Sequence, residues 1–292
     1  MDLRERIIRT VSYFDLFDRP LSRAEIFDLL YGKDAAREAA AVNDAITALA
    51  GAGKIKEAGG LVFLFDRDPG LATLRVQRRQ IAARKLRRAR RWAGFFSALP
   101  GVRLVGIGNT LAYQNAKDES DIDFFIVTAP GMIWRTRFFC AAAAALFDLR
   151  PRAGNNRDKL CLSFFVTERA LDLSSLKRGA EDVYMDYWIR LMMPLAGSAE
   201  ARNRYRRANG LPPDAAPIGG SHLWRFLLFP VACLPGAFMK GWQLRHFPAV
   251  LRAAAARHDG SVVVTDDILK FHVTDRRADI YEKWKKRVNS IL

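Results

Sequence analysis

The chain is 292 residues long, and 50% of its residues are hydrophobic and 27% charged. A sequence of this length and composition can bury a sizeable core, which excludes a disordered chain and leaves room for two domains or more. Lys and Arg outnumber Asp and Glu by 47 to 31, so the formal net charge is +16. This excess favours an anionic partner such as nucleic acid, a nucleotide or an anionic lipid surface, although biased composition alone would give the same charge.

Cysteine content and hydropathy indicate the cellular compartment in which the protein is expected. The three cysteines, Cys140, Cys161 and Cys233, form no CxxC pair, which argues against a zinc site and a disulfide framework. Charges run through residues 1–9, which therefore lack the apolar centre of a secretory signal. One arginine and two prolines interrupt the most apolar stretch, residues 223–239, so no transmembrane segment is expected. Together these features predict a cytoplasmic protein.

Residues 1–68 are predicted to form a winged helix-turn-helix-like domain. Three helices are expected, over residues 3–17, 23–31 and 35–50. Ser22 and Glu25 match a capping box at the second helix, and two short strands around Gly59-Gly60 predict a hairpin. The third helix has Arg37 as its only cation, whereas a groove-reading helix usually offers more polar side chains. A packing or protein-contact role is therefore favoured, with DNA binding as the alternative.

A long helix is predicted over residues 71–99, and its charges are of one sign. Nine cations and no acid occupy the central part of this helix: Arg75, Arg78, Arg79, Arg84, Lys85, Arg87, Arg88, Arg90 and Arg91. A solvated helix face normally mixes signs, and like charges repel one another without an anionic partner or nearby protein carboxylates. The pattern indicates contact with phosphate or nucleic acid, with a basic solvated face as the alternative.

The remaining elements predict an α/β palm over residues 69–175, including the basic helix, and a mainly helical C-terminal region over residues 176–292. Palm strands are expected over residues 102–107, 121–127 and 160–166, with a helix over residues 134–148. The C-terminal region is expected to be helical over residues 180–196 and 222–258 and from about residue 275, with one strand over residues 261–265. Asp266 and Asp267 are interpreted as a helix N-cap, with closure over the palm as the alternative.

Two carboxylates stand at the start of the second palm strand. Side chains alternate along a strand, so Asp121 and Asp123 project to one side while Ile122 and Phe124 face the other. Two such charges about 4 Å apart repel by about 4 kcal/mol at an effective dielectric near 20, unless one binds a proton or a cation lies between them. Carboxylates suit hard cations such as Mg²⁺ or Mn²⁺. The pattern therefore predicts a divalent-metal site, with an ordinary exposed strand end as the alternative.

The turn before this strand adds a second part of the pattern. A strand ends at Gly108-Asn109, ten residues follow, and Ser120-Asp121-Ile122-Asp123 then opens the next strand. This order resembles the nucleotidyltransferase superfamily related to DNA polymerase β, in the Ser-Asp-Ile-Asp form common in bacterial members. The resemblance covers about residues 100–170.

The resemblance implies an α+β fold with a mixed-sheet palm, two divalent metals (Mg²⁺ or Mn²⁺) and an NTP donor. The activity that it implies is transfer of a nucleoside monophosphate to a hydroxyl acceptor. Asp121 and Asp123 would bind the metals and carry the catalysis. Gly108, Asn109 and Ser120 would contact the nucleotide. The acceptor, whether a nucleic acid, a protein or a small molecule, is not specified by any residue.

Two features depart from the family pattern. Asn109 replaces the usual Ser or Gly. The family's third carboxylate has no counterpart on the later strand, whose available face offers Cys161 and Ser163, and the acids that could substitute for it are Asp158 and Glu168. The alternative function is therefore a catalytically weak or inactive domain that acts as a regulator by binding nucleotide, nucleic acid or a protein partner.

Overall fold

The structure, a computed structural model, describes residues 1–32, 39–152, 154–216, 236–257 and 259–292. Two units make up the chain, one formed by Met1–Gln80 with Arg276–Leu292 and the other by Ile81–Asp275. Their boundary lies inside a long helix, whereas the sequence predicts a domain boundary at residue 68. Among the described residues, no helix is both long and apolar enough to cross a membrane.

The described residues form an α+β arrangement of helices and short strands. The helices are α1 (Leu3–Asp15), α2 (Arg23–Asp28), α3 (Ala39–Gly51), α4 (Leu71–Ser97), α5 (Asn109–Ala112), α6 (Ile133–Leu146), α7 (Val183–Leu191), α8 (Ala199–Ala208), α9 (Gly236–Arg245), α10 (Ala249–Ala256) and α11 (Arg277–Asn289). The strands are β1 (Ile55–Ala58), β2 (Leu61–Leu64), β3 (Val102–Ile107), β4 (Ile122–Thr128), β5 (Leu160–Thr167), β6 (Met193–Gly197), β7 (Val262–Val264) and β8 (Ile268–Phe271).

The first unit combines α1 to α3 with the hairpin of β1 and β2. The capping box at α2 is confirmed, because the Glu25 N–H donates to Ser22 Oγ at 3.2 Å and the Ser22 N–H donates to Glu25 Oε2 at 2.8 Å. The helix ends at Asp28, three residues before its predicted end. Gly59 and Gly60 turn the hairpin with φ of 58° and 74°, which favours glycine. Residues 33–38, the predicted start of α3, lie outside the described residues, and the winged-helix assignment stays a prediction.

The C-terminal helix α11 belongs to the first unit, although almost the whole chain separates it from α1. Trp284 of α11 is 1% exposed, and its indole N–H donates to the carbonyl oxygen of Arg9 at 2.9 Å. Val288, one helical turn later, is buried as well. The apolar face of α11 is therefore covered by α1, which contacts it along the helix.

The second unit is built on a six-stranded mixed sheet with the order β6-β3-β4-β5-β8-β7. Among these described strands, β4 and β5 pair in parallel, and the other neighbouring pairs are antiparallel. The predicted strands β3, β4, β5 and β7 are confirmed, whereas β6 and β8 were not expected from the sequence. The central strands are thus β4 and β5, which have neighbours on both sides.

Helices cover both faces of this sheet. Ile122, Phe124 and Ile126 of β4 pack into a core with α4, α6 and α10. Phe125 and Val127, on the alternate face, pack into a second core with α7 and α8. The strand is therefore buried on both sides beyond its first residues, as the side-chain alternation predicts.

Two predictions for the C-terminal region are wrong. The helix predicted over residues 180–196 ends at Leu191, and Met193–Gly197 forms the edge strand β6, because these residues pair with β3. Asp266 and Asp267 do not cap a helix. They lie in the turn between β7 and β8, which the hydrogen bond from Thr265 N to Ile268 O closes at 2.8 Å. The part of the predicted helix at residues 222–235 lies outside the described residues.

Four cations of α4 have protein partners. In the first unit Arg75 bonds to Glu25 and Arg78 to Asp18. In the second unit Arg84 bonds to Asp118, and Lys85 is fully buried. The Lys85 ammonium donates to the carbonyl oxygens of Asp118 and Ser120 at 3.0 and 2.6 Å, and to Asp158 Oδ1 at 2.8 Å.

Lys85 is expected to be a main stabiliser of the second unit. The substitution Lys85→Met keeps the apolar stem but removes three hydrogen bonds, and it leaves the Asp158 carboxylate and the Asp118 carbonyl group without their buried cationic partner. We expect it to lower the free energy of unfolding by about 3 kcal/mol. Urea denaturation of the full chain measures this loss. Arg88→Met, at an exposed cation of the same helix, is the matched control and should change stability by less than about 0.5 kcal/mol. Similar losses for both variants would contradict the role of Lys85.

Candidate functional site

Three potential metal ligands converge where β4 and β5 begin. One carboxylate oxygen each of Asp121 and Asp123 and the sulfur of Cys161 all lie within 4.8 Å of one another. The parallel pairing of the two strands produces this arrangement, because it places Asp123 directly beside Cys161. The predicted projection of the two aspartates to one side is confirmed, and Cys161, which the sequence places on the available face of the later strand, joins them as a third donor.

The turn after β3 lies against this group. The Gly108 N–H donates to the carbonyl oxygen of Asp123 at 3.1 Å, which joins the turn to β4. A Cβ atom at Gly108 would lie 2.6 Å from the indole nitrogen of Trp188, so only glycine fits there. Asn109 follows with φ of 55°, a left-handed conformation that asparagine tolerates better than most residues. The backbone at Gly108 thus approaches β4 closely, and it brings Asn109 beside Asp123.

The Asn109 side chain is held between α7 and the aspartates. Its Oδ1 accepts hydrogen bonds from Tyr184 Oη at 2.8 Å and Trp188 Nε1 at 3.1 Å. Because its oxygen accepts these two hydrogen bonds, the amide NH₂ group of Asn109 donates a hydrogen bond to the Asp123 carboxylate. Asn109 therefore positions Asp123 in this structure, and its contact with a nucleotide stays a prediction. Sequence reasoning missed Tyr184 and Trp188, because they lie 75 and 79 residues from Asn109 and no local pattern marks them.

The electrostatics of the pair follow from burial and like charge. Burial, and then the neighbouring charge of Asp121, raise the pKa of Asp123 to about 6, although the Asn109 and Cys161 hydrogen bonds favour the charged form. Burial also raises the pKa of Asp121, against the opposing charge of Lys85. Two ionised carboxylates therefore carry the electrostatic cost that the sequence pattern predicts, and a bound cation would relieve it.

A line of polar side chains leads away from the carboxylates along β5. The Cys161 thiol lies within hydrogen-bonding reach of both aspartates and at 3.2 Å from Ser163 Oγ. Ser163 Oγ in turn lies 3.3 Å from His272 Nε2. Burial and the two aspartate charges raise the pKa of Cys161, so the thiol is neutral in the absence of a cation. No ligand spacing marks His272 in the sequence, and the antiparallel strand β8 brings it near the site.

The acids expected to replace the third carboxylate have other partners. Asp158 accepts from Lys85, and Glu168 accepts from Arg204 at 2.7 Å and Arg103 at 3.3 Å. Asp266 bonds to Lys240 and Trp134, and Asp267 to Thr167. Among the described residues, the group that could hold a cation thus contains two carboxylates and a thiol.

Ser120 closes the turn that precedes the strand. Its hydroxyl donates to the carbonyl oxygen of Lys117 at 2.9 Å, and its own carbonyl oxygen accepts from Lys85. These contacts fix the backbone entering Asp121. The predicted contact between Ser120 and a nucleotide stays a prediction.

Comparison with known proteins adds no assignment to this geometry. No protein-family model matches the sequence, and no curated protein or solved structure matches it either. The residues of the site are therefore the basis for inferring its function.

The raised pKa of Asp123 predicts that the pair weakens the fold at neutral pH. A carboxyl group whose pKa is higher in the folded chain than in the unfolded one lowers the free energy of unfolding as pH rises. Here this loss falls between about pH 4 and about pH 6. One pH unit corresponds to about 1.4 kcal/mol, so Asp123→Asn should stabilise the chain by about 2 kcal/mol at pH 8, after allowance for partial exposure. At pH 4.5 about a third of this gain should remain.

Thermal unfolding in EDTA at both pH values measures this difference. Asp186→Asn, at a partly exposed aspartate paired with Lys177, is the matched control and should not become stabilising at pH 8. If the Asp123→Asn variant were no more stable than wild type at pH 8, repulsion between the carboxylates would not destabilise the folded chain.

Proposed function

We propose that the chain is a metal-dependent nucleotidyltransferase, which transfers a nucleoside monophosphate from an NTP to a hydroxyl acceptor. The observation that carries this proposal is the convergence of Asp121, Asp123 and Cys161 at the start of two buried parallel strands. A glycine turn lies against the same strand. The resemblance of these residues to the polymerase β-like superfamily supports the reaction class, and a nucleotidyltransferase palm is the fold proposed for the second unit.

The donor set fits a divalent cation. Ligand atoms on one cation lie about 3 to 4.5 Å apart, and those of the two aspartates and Cys161 lie within 4.8 Å of one another. The carboxylates suit Mg²⁺ or Mn²⁺, whereas a thiolate suits softer cations, so this set favours Mn²⁺ over Mg²⁺. When bound, paired metal ions polarise phosphate oxygens and neutralise developing charge in phosphoryl transfer.

The protein's own residues would orient the reacting groups. Asp121 and Asp123 hold the cation. Asn109, fixed by Tyr184 and Trp188, prevents the Asp123 carboxylate from turning away. Lys85 holds the turn ahead of Asp121 through the Ser120 carbonyl. This preorganisation is what phosphoryl transfer requires of a protein, because the reaction depends on positioning and charge more than on covalent chemistry.

A second candidate function rests on the missing third acid. A nucleotidyltransferase palm without a base for the acceptor hydroxyl would bind nucleotide but turn over slowly. The neutral Cys161 thiol and the pairing of Asp158 with Lys85 favour this function. The chain would then act as a regulator that binds nucleotide, nucleic acid or a protein partner, with the first unit as a winged-helix-like contact module.

Labelled nucleotide incorporation distinguishes the two functions. The full chain is incubated with each labelled NTP, with Mg²⁺ or Mn²⁺, and with RNA, DNA and protein acceptors. We expect incorporation in the wild type and a loss of at least 100-fold in Asp121→Ala/Asp123→Ala, since both carboxylates would be needed to hold the cation. The double variant Asp172→Ala/Asp186→Ala removes two outlying carboxylates and should retain activity. Nucleotide binding without incorporation on any acceptor would instead support the regulator.

The third donor predicts a spectroscopic signature. Titration with Co²⁺ or Cd²⁺ should produce a sulfur-to-metal charge-transfer band, because a bound cation converts the Cys161 thiol to a thiolate. Cys161→Ser should abolish the band, and Asp121→Asn should weaken it.

Cys140→Ala and Cys233→Ala are the matched controls for this titration. The first removes a buried core thiol of α6 that lies away from the carboxylates, and both variants should keep the band. A band that survives Cys161→Ser would show that sulfur from another cysteine binds the cation.

A further inference from the structure

The second unit carries a row of arginines on the outer side of α4. Arg84, Arg87, Arg88 and Arg91 follow the spacing i, i+3, i+4, i+7 and so lie along one face of the helix. The opposite face is buried in the core through small and apolar side chains, namely Ala82, Leu86, Ala89, Ala93 and Phe96. Helix packing therefore forces these guanidinium groups outward. Arg87, Arg88 and Arg91 are termed the arginine stripe below.

The arginine stripe differs from Arg84 and Lys85 in having no partner within the described part of the chain. Arg84 bonds to Asp118 at 2.5 Å, and Lys85 is buried against Asp158. The three stripe arginines are exposed, and the structure shows no hydrogen bond or ion pair between them and any described residue. No acid lies anywhere in the helix to offset them. Three like charges within two helical turns repel one another, so the surface is complementary to an anion with several charges.

The chemistry around the stripe favours a nucleic acid over a lipid surface. Lipid adsorption needs a broad apolar face that enters the membrane interface, whereas a single-stranded nucleic acid is bound by cations together with aromatic side chains on which bases stack. Among the described residues, the exposed large apolar side chains near this part of α4 are Leu146 and Phe147 at the end of α6, and the Phe147 ring lies 5.5 Å from that of Trp92, the residue after Arg91. The other exposed apolar side chains of this unit lie on α9 and α10. Guanidinium groups beside an exposed aromatic ring match a phosphate backbone whose bases can stack.

The stripe also has a defined place relative to the carboxylates. Arg84, just before the stripe, is tied to Asp118, and Lys85 is tied to the Ser120 carbonyl, next to Asp121. The stripe therefore begins beside the turn that enters the carboxylate strand. From Arg87 to Arg91 the helix rises about 6 Å, close to the length of two nucleotides at about 3.4 Å each. A strand lying on the stripe would lie on the flank of the site.

We propose that the arginine stripe binds the phosphate backbone of a nucleic acid, without reading its sequence. Phosphate contacts of this kind position a nucleic acid but do not select bases. The binding does not depend on nucleotide transfer, and it would stand if the chain proved to be a regulator.

The test is salt-dependent binding of the full chain to a fluorescent single-stranded oligonucleotide, in EDTA and without NTP. Wild type should bind with a steep inverse dependence on salt. The stripe variant, Arg87→Gln/Arg88→Gln/Arg91→Gln, should bind at least tenfold more weakly at about 50 mM salt. The slope of log K against log salt should be smaller in magnitude by about 2, because three phosphate contacts at about 0.7 each are lost. Circular dichroism and the unfolding midpoint confirm that the variant is folded.

A charge-matched control removes three exposed cations from another part of the same unit. Its substitutions are Arg245→Gln, Arg252→Gln and Arg257→Gln, which lower the net charge by the same amount. This control should bind within about twofold of wild type. Equal losses in the two variants would overturn the proposal, because binding would then follow net charge alone. An unchanged stripe variant would overturn it directly.

Two further measurements separate this role from lipid binding and from nucleotide transfer. If the stripe variant lost binding to anionic lipid vesicles but kept its affinity for the oligonucleotide, the stripe would be a lipid-binding surface and the proposal would be wrong. If wild type bound the oligonucleotide but incorporated no nucleotide on any acceptor, the result would count against the transferase function and not against the stripe.

Discussion

The repulsion between Asp121 and Asp123 is the constraint on which the site depends. The two carboxylates occupy the start of a strand that is buried on both faces a few residues later. Turning either side chain toward water would relieve the repulsion, but the core around Phe124 and Phe125 fixes the strand. The fold therefore maintains the repulsion between the two ionised carboxylates, and binding of a proton or a cation reduces it. A cation is the more effective, because it can interact with both carboxylates at once.

The surrounding residues fix the orientation of the carboxylates and do not let them move apart. Asn109 bonds to Asp123, while Tyr184 and Trp188 fix the orientation of the Asn109 amide. Trp188 also excludes a side chain at Gly108, so the turn, helix α7 and β4 are mutually dependent. Strained positions that persist because their neighbours over-determine them are typical of sites that bind a ligand. The left-handed backbone at Asn109 belongs to this group.

The sequence predicts the parts of this site that are local in the chain. Strand alternation places Asp121 and Asp123 on one side, and the Gly108-Asn109 pair marks the turn that follows β3. The capping box at Ser22 likewise depends on residues only three apart. In each of these cases the relevant contact forms within a few residues, so a periodic pattern or a short motif carries the information.

The parts that the sequence does not predict are set by contacts between distant segments. Strands β6 and β8 are short, and they exist because β3 and β5 offer unpaired edges to them. In the sequence Lys85 is one more cation of a basic helix, whereas in the fold Asp158 and two carbonyl groups surround it. Cys161 stands where an acid is expected, and parallel pairing places its sulfur beside Asp123. Tertiary pairing, which has no local signature, decides all three.

Cys161 makes the chemistry of the site depend on which cation occupies it. Without a cation, burial and the two aspartate charges keep the thiol protonated, so it can donate a hydrogen bond but is a poor base. Mg²⁺ prefers oxygen and would be held by the two carboxylates alone. A softer cation would convert the thiol to a thiolate and gain a third negative ligand in the position where the superfamily pattern has an acid. The same residues thus offer two ligands to a hard cation and three to a softer one.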